Sequence, residues 1–191
     1  QVRRQYNQAN DLDDKLTLMA FLVKAAASLL REFPVFNASL DTRKMEIIYK
    51  HFVNIGFAAD TPKGLMVPVI KGTDRLSVAG IGRRIKALAI KGRDAKITVD
   101  DLSHGTFTVT NVGMIGGTGV VPTINYPESA ILGLGRVMKK PVVKNDEIVI
   151  RKMLPMTLSF DHRVADGVQA AKFMSRLRQM LEDPVIFMTE I

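Results

Sequence analysis

The chain has 191 residues, with 27 Lys and Arg against 19 Asp and Glu, for a formal net charge of +8. Apolar residues make up 47% and charged residues 24%, and Cys and Trp are absent. This balance excludes a disordered tail, a collagen-like repeat and a disulfide-stapled mini-domain, and the absence of Cys excludes thiolate metal sites and a cysteine nucleophile.

One large domain is expected over residues 1–191, since domains of this size bury roughly 70% of the surface of the unfolded chain. The polar start, QVRRQYNQANDLDDK, has no apolar signal-peptide core. The longest apolar stretch, Leu16 to Leu30, is interrupted by Lys24 and falls short of the ~20 residues that span a bilayer. A soluble protein without membrane attachment is expected, cytoplasmic or, in a eukaryote, in the mitochondrial matrix.

In chain order, the first expected element is a helix capped by Thr17, with Leu18, Leu22, Ala25, Ala26 and Leu29 at helical spacing. It stops at Glu32-Phe33-Pro34, because Pro disfavours helix in the residue before it. Asn37 to Asp41 reads as a loop. Met45–His51 and Val53–Ala59 read as strands, Thr61–Gly64 as a turn, Leu65–Ile70 as a strand and Lys71–Arg75 as a loop.

Ser77 is an N-cap for a second helix, with Val78, Ile81, Ile85, Leu88 and Ala89 as its apolar stripe and Gly92 at its end. Thr106–Thr110 alternates as a strand, with Phe107 and Val109 on one face and threonines on the other. The glycine-rich Asn111–Gly119 follows. Ala130–Val137 and Val142–Ile150 read as strands, the second broken by a turn at Lys144-Asn145-Asp146. Met153–Phe160 is an apolar strand, and a third helix runs from Gly167 to Leu181, ended by Asp183-Pro184. Helices alternating with groups of strands predict an α+β fold, with helices against one side of a mixed sheet.

Few residues carry recognisable chemistry. The glycine-rich stretch NVGMIGGTG lacks the Gly-Lys-Ser/Thr of a Walker loop and opens no amphipathic helix, so it reads as a tight loop needing positive φ. His51, His104 and His162 do not pair at metal-ligand spacing, so no metal is expected. No Gly-x-Ser-x-Gly elbow is present. The basic run Arg83, Arg84, Lys86, Lys91 and Arg93 reads as a solvated helix face or a site for an anionic ligand. It lacks the interleaved aromatics of a nucleic-acid surface.

His162 is different. It follows an apolar strand, in Ser159-Phe160-Asp161-His162-Arg163-Val164-Ala165-Asp166-Gly167. Strand ends are where a rigid scaffold presents reactive groups, and an imidazole titrates near neutrality. Asp166 then opens the last helix, where an aspartate suits the N-terminal dipole. From the residues alone, a general base and a solvated loop histidine both stand.

That nine-residue segment resembles the signature of the dihydrolipoamide acyltransferases, the core components of 2-oxo acid dehydrogenase complexes. Its wider His-x-x-x-Asp-Gly pattern is shared with chloramphenicol acetyltransferase. Phe33–Ser39, Asn54–Gly56, Thr61–Leu65, Pro68–Ile70, Thr106–Gly113, Ile115–Thr118 and Pro127–Gly133 resemble family segments in the same order. Ile115-Gly116-Gly117-Thr118 is more similar to the pyruvate and branched-chain members than to the succinyl ones.

The resemblance implies a chloramphenicol-acetyltransferase-like two-layer fold and acyl transfer between dihydrolipoamide and coenzyme A. It implies His162 as the base on the attacking thiol, Thr110 as the hydroxyl that stabilises the tetrahedral oxyanion, and Asp166 as a residue ordering the His162 loop. Asn111 and Ser159 are weaker candidates for substrate contacts. It further implies trimers with shared sites, assembly into a cage, a lipoyl group carried on a separate domain, and decarboxylase and dihydrolipoamide dehydrogenase partners. Coenzyme A is polyanionic, which offers a use for part of the +8 charge. Family catalytic domains have more sequence before the first helix, so the chain reads as an N-terminally incomplete core lacking the lipoyl and peripheral-subunit-binding domains. A non-catalytic scaffold subunit and an antibiotic acetyltransferase are the alternatives.

Overall fold

In a computed structural model, residues 2–9 and 15–189 are described. Helix α1 (Val2–Ala9) lies in the stretch read from sequence as a polar stub. Its Asn7 accepts from the Leu16 amide at 2.7 Å and donates to the Leu16 carbonyl at 3.0 Å, which ties it to the start of α2 (Leu18–Glu32). Thr17 stands at the N-cap of α2, but its hydroxyl makes no capping bond. Lys24 is buried on α2 and donates from Nζ to the Asp74 carbonyl at 2.9 Å, so the charge that interrupts the apolar run is a packed, hydrogen-bonded group. Burial pushes its amine below the ordinary lysine range.

A hairpin follows, β1 (Ala38–Asp41) with β2 (Glu46–Tyr49). The residues read as a loop at Asn37–Asp41 are therefore mostly strand. Four residues carry no decisive alternation, and the partner across the hairpin supplies the bonds. Next come β3 (Ile55–Phe57), the short pair β4 (Ala59–Thr61) and β5 (Gly64–Met66), and β6 (Val69–Ile70). Leu65–Ile70, expected as one strand, is two, separated at Val67-Pro68. Proline cannot donate to a ladder.

Helix α3 (Val78–Arg93) is capped as expected, with Ser77 Oγ accepting from the Gly80 amide at 3.1 Å. Strands β7 (Phe107–Asn111) and β8 (Ala130–Leu134) pair in parallel. The remaining strands are β9 (Met138–Lys144), β10 (Glu147–Met153) and β11 (Met156–Phe160). β9 and β10 form one long hairpin around Asn145 and Asp146, both at positive φ as a type I′ turn requires. Expected strand boundaries at Val142, Ile150 and Met153 therefore move, and Pro155 separates β10 from β11.

Helix α4 (Gly167–Glu182) opens on a complete capping box. Asp166 Oδ1 accepts from the Gln169 amide at 2.8 Å, and Gln169 Oε1 accepts from the Asp166 amide at 3.1 Å. Asp183-Pro184 ends α4 and at once begins α5 (Pro184–Thr189), with Pro in its favoured first position.

The central sheet runs β11-β8-β7-β3-β6. Its inner strands β8, β7 and β3 are parallel, and both edge strands are antiparallel. Phe107, Val109, Leu132, Leu134 and Ile55 face α2, α3 and α4 and form the core with them. Phe173 of α4 is fully buried, with ring centroids 5.2 Å from Phe36, 5.7 Å from Phe33 and 6.1 Å from Phe107. The α+β class, the mixed sheet and the one-sided helices agree with the sequence reading.

The opposite face is roofed by loop instead of helix. The glycine-rich stretch folds into a 3-10 turn, Val112–Ile115, and then crosses β8. Gly116 has φ of +93°, as a tight loop requires. The other glycines act through space: a Cβ on Gly135 would strike the Thr118 carbonyl, and one on Gly133 would meet Val120 at 2.7 Å. Gly135→Ala is expected to cost about 1–3 kcal/mol of stability, since backbone stands in the way. Gly119→Ala, with open space around it, should fall within about 0.5 kcal/mol of the parent. Denaturant midpoints compare the two. By the same measurement, Asp166→Ala loses about 1 kcal/mol of capping while Asp166→Asn retains it.

Candidate active site

The register of β7, β8 and β11 decides where each candidate side chain points. Directly opposed residues share a face of the sheet. Thr110 opposes Gly133, which opposes Thr157. Thr108 opposes Ile131, which opposes Ser159. The loop-roofed face thus presents Thr108, Thr110, Thr157 and Ser159 together, with Thr110 and Ser159 half-buried.

Asn111, next in sequence to Thr110, faces the helices. It lines a cavity of about 180 Å³ with Leu18, Leu22 and Leu134, among others. Its Oδ1 accepts from the Gly113 amide at 3.0 Å and caps the turn that begins the glycine-rich loop. Thr110 and Asn111 therefore serve different sides of the sheet.

His162 lies just past the end of β11, exposed, in a turn built by its neighbours. Asp161 accepts from the Arg163 backbone amide at 3.0 Å and from its guanidinium at 2.6–3.2 Å. The Val164 and Ala165 amides donate to the Asp161 carbonyl at 2.9 and 3.1 Å. Arg163 holds the Asp161 carboxyl below the usual carboxylate range. The Asp161 amide donates to the Ser129 carbonyl at 2.8 Å, anchoring the turn to the start of β8. The imidazole rests against the Phe160 ring, with centroids 5.6 Å apart. Asp166, four residues on, is occupied by the capping box and makes no hydrogen bond to His162 among the described residues.

The same register separates Thr110 from His162. Phe160 opposes Ala130, three residues along β8 from the Gly133 that opposes Thr110. That is about 10 Å along the strands, and two strand spacings add about 10 Å across. Phe160 and Thr110 are thus about 14 Å apart, and His162 lies two residues beyond. Within one chain the hydroxyl and the imidazole do not converge on a single reacting atom.

One polar residue at this end of the sheet carried no role in the sequence reading. Glu128, just ahead of β8, is 8% exposed, and burial pushes its carboxyl up to about 7. Its sequence signals were a carboxylate at the head of an apolar strand and a place in the family-like segment Pro127–Gly133. Among the described residues, no group of three or more His, Cys, Asp or Glu is placed to hold a metal ion, and no helix is long and apolar enough to cross a membrane.

Comparison with known proteins bears on this geometry. The dihydrolipoyllysine-residue acetyltransferase component of the pyruvate dehydrogenase complex of Bacillus subtilis is 44% identical over 189 residues, covering 98% of this chain and 43% of that protein. The chain therefore spans less than half the length of the curated relatives it matches. Among solved structures, the dihydrolipoamide acetyltransferase of Azotobacter vinelandii matches at a TM-score of 0.88 with 40% identity, covering 97% of this chain and 74% of that one. It was studied for the role of a serine, a histidine 52 residues later and an asparagine four beyond that in its catalytic mechanism. The cubic core of a pyruvate dehydrogenase multienzyme complex matches equally well, at 0.88 and 41%, over the same shares of both chains. A chloramphenicol acetyltransferase matches at 0.57 with 12% identity over 93% of this chain and 81% of that one, a likeness of fold alone. The model of the 2-oxoacid dehydrogenases acyltransferase (catalytic domain) matches residues 1–189, and the chain belongs to that family.

Proposed function

We propose that the chain is a catalytic core that transfers an acyl group, acetyl by the names of its relatives, between dihydrolipoamide and coenzyme A. The observation that carries this is spacing on a shared fold. Thr110, His162 and Asp166 stand 52 and four residues apart, the intervals of the three residues studied in the Azotobacter enzyme.

His162 removes the proton from the attacking thiol. A free thiol has a pKa of about 8.5, so near neutrality most of it is protonated and a base accelerates attack. The thiolate adds to the thioester carbonyl carbon. Thr110 donates its hydroxyl hydrogen bond to the oxyanion as charge develops there. Collapse breaks the bond to the other sulfur, which takes the proton back from His162. No acyl-enzyme forms, and no cysteine is required of the chain. Asp166 shapes the turn through its helix cap. Ser159 shares the face of Thr110 and is a candidate substrate contact. Asn111 faces away and supports the loop.

The distance between Thr110 and His162 leads to the second part of the proposal: each site combines Thr110 of one copy with His162 of another. Hairpin β9–β10 supports such association. An isolated two-stranded ribbon is marginal in water, yet Val143, Ile148 and Ile150 stand 72–80% exposed on one face of it. The likeness to a cubic core extends this to trimers assembled into a cage. A lipoyl domain would deliver one substrate, with decarboxylase and dihydrolipoamide dehydrogenase as further partners. Coenzyme A as substrate and the bacterial relatives support a cytoplasmic setting.

His162→Ala in an assembled core should lower turnover by about 100-fold or more, and Thr110→Ala by about 10²–10³. Acetyl-CoA with dihydrolipoamide is the assay. Near-normal activity of His162→Ala would overturn His162 as the base, an inactive wild-type core would leave a scaffold role, and turnover with chloramphenicol in place of dihydrolipoamide would favour the antibiotic acetyltransferase. Co-assembling the two inactive variants should regain activity, because some sites then draw the intact residue from each copy. No recovery in mixed oligomers overturns the shared site.

A further inference from the structure

Glu128 is a buried carboxyl that neither the core nor the proposed reaction uses. Its Oε1 accepts from Asn125 Nδ2 at 3.2 Å. The backbone at Gly105 packs so closely that a Cβ there would stand 2.7 Å from Oε1. Its Oε2 has no hydrogen-bond partner, and neither has the buried Thr108 Oγ1, although the Thr108 hydroxyl is close enough to act on the carboxyl. Two orphaned polar atoms side by side are costly in a dry site. An ionised carboxylate can only accept, whereas a neutral acid carries a proton to donate. A Thr108 hydroxyl donating to an ionised Oε2 would satisfy both atoms, and so would one proton on Oε2 given to Thr108 Oγ1; burial away from any cation selects the second.

Of the surroundings, burial favours that proton and outweighs the hydrogen bonds from Thr108 and Asn125, which favour the charged form. Thr108 from β7, Asn125 from the same loop and the Gly105 backbone, itself against Val69 of β6, form its setting. His104, beside Gly105, is exposed, and no charged side chain acts on the carboxyl among the described residues. Burial without a cation favours the neutral form.

The location gives the group a task. Thr108 precedes Thr110 by two residues on the same face of β7. Ser129, the residue after Glu128, accepts the Asp161 amide next to His162 through its carbonyl and donates from Oγ to the Val35 carbonyl at 2.9 Å. We infer that Glu128 is a positioning residue: as a neutral acid it donates to Thr108 and ties the strand bearing Thr110 to the loop that anchors the His162 turn. This rests on the acyl-transfer reading above. Because Thr110 and His162 of one chain serve different sites in that reading, Glu128 links two neighbouring sites.

The test compares E128Q and E128A with wild type in assembled cores, by acetyl-CoA and dihydrolipoamide turnover from pH 6 to 8 and by thermal unfolding. E128A should lose about tenfold or more in kcat with little change in KM, and E128Q, whose amide can still donate, should recover most of that loss. The E128Q to wild-type rate ratio should grow from about one at pH 6 to about tenfold at pH 8, where about a tenth of a carboxyl titrating near 7 keeps its proton. The sign for stability agrees. The folded chain holds a proton that the unfolded chain has released above its ordinary carboxyl range, so wild type loses stability relative to E128Q as pH rises toward and through 7.

A constant rate ratio with parallel melting curves overturns the proposal. Should E128A fail to assemble, wild type and E128Q decide it alone. A wild-type core without acyl transfer removes the function reading, while the melting curves still report whether Glu128 carries the proton.

Discussion

The β7–β8–β11 register governs this molecule. Parallel pairing sets Thr110 opposite Gly133, and antiparallel pairing sets Phe160 opposite Ala130. A slip of one residue would turn Thr110 toward the helices and Phe107 toward the loops. Phe107 is held against Phe173, and Phe160 lies 6.1 Å from Phe36. The aromatic core thereby enforces the register, and the register places the polar side chains. Packing on one face of the sheet determines the chemistry available on the other.

That second face is built differently. A loop covers it, and loops bring backbone polar groups that need partners. The close crossing over Gly133 and Gly135 is stitched by the Arg136 amide, which donates to the Gly117 carbonyl at 2.9 Å. The glycines are needed there chiefly for room. Polar groups left under such a roof, Thr108 and Glu128 among them, cannot turn to water for a partner. This is the physical origin of the proton assigned to Glu128.

Much of the architecture was legible in the chain. Apolar stripes at helical spacing located α2, α3 and α4 to within about two residues. Ser77 marked a real cap, and Asp166, read as suiting the helix dipole, caps α4 through a box with Gln169 that the reading did not include. The missed elements were short or polar. β1 pairs through its backbone with a strand several residues on, and α5 begins at the proline that ends α4. Neither has a period long enough to be read. The β9–β10 hairpin was seen in part, because lysines at its ends hid the length of its strands. At the site, the signature around His162 and the hydroxyl at Thr110 both stood out as residues. Asn111, a weaker candidate for a substrate contact beside Thr110 in the chain, is turned to the other face by the pleat.

The sequence by itself determined the family and the layer order and supplied the candidate reactive side chains, since these follow from local pattern and from motifs contiguous in the chain. Tertiary structure alone decided which face each side chain occupies and which groups are cut off from water. It also decided that Thr110 and His162 of one chain lie too far apart to act on the same atom. Those properties arise from pairing between strands distant in sequence, and distance across a sheet has no counterpart along the chain.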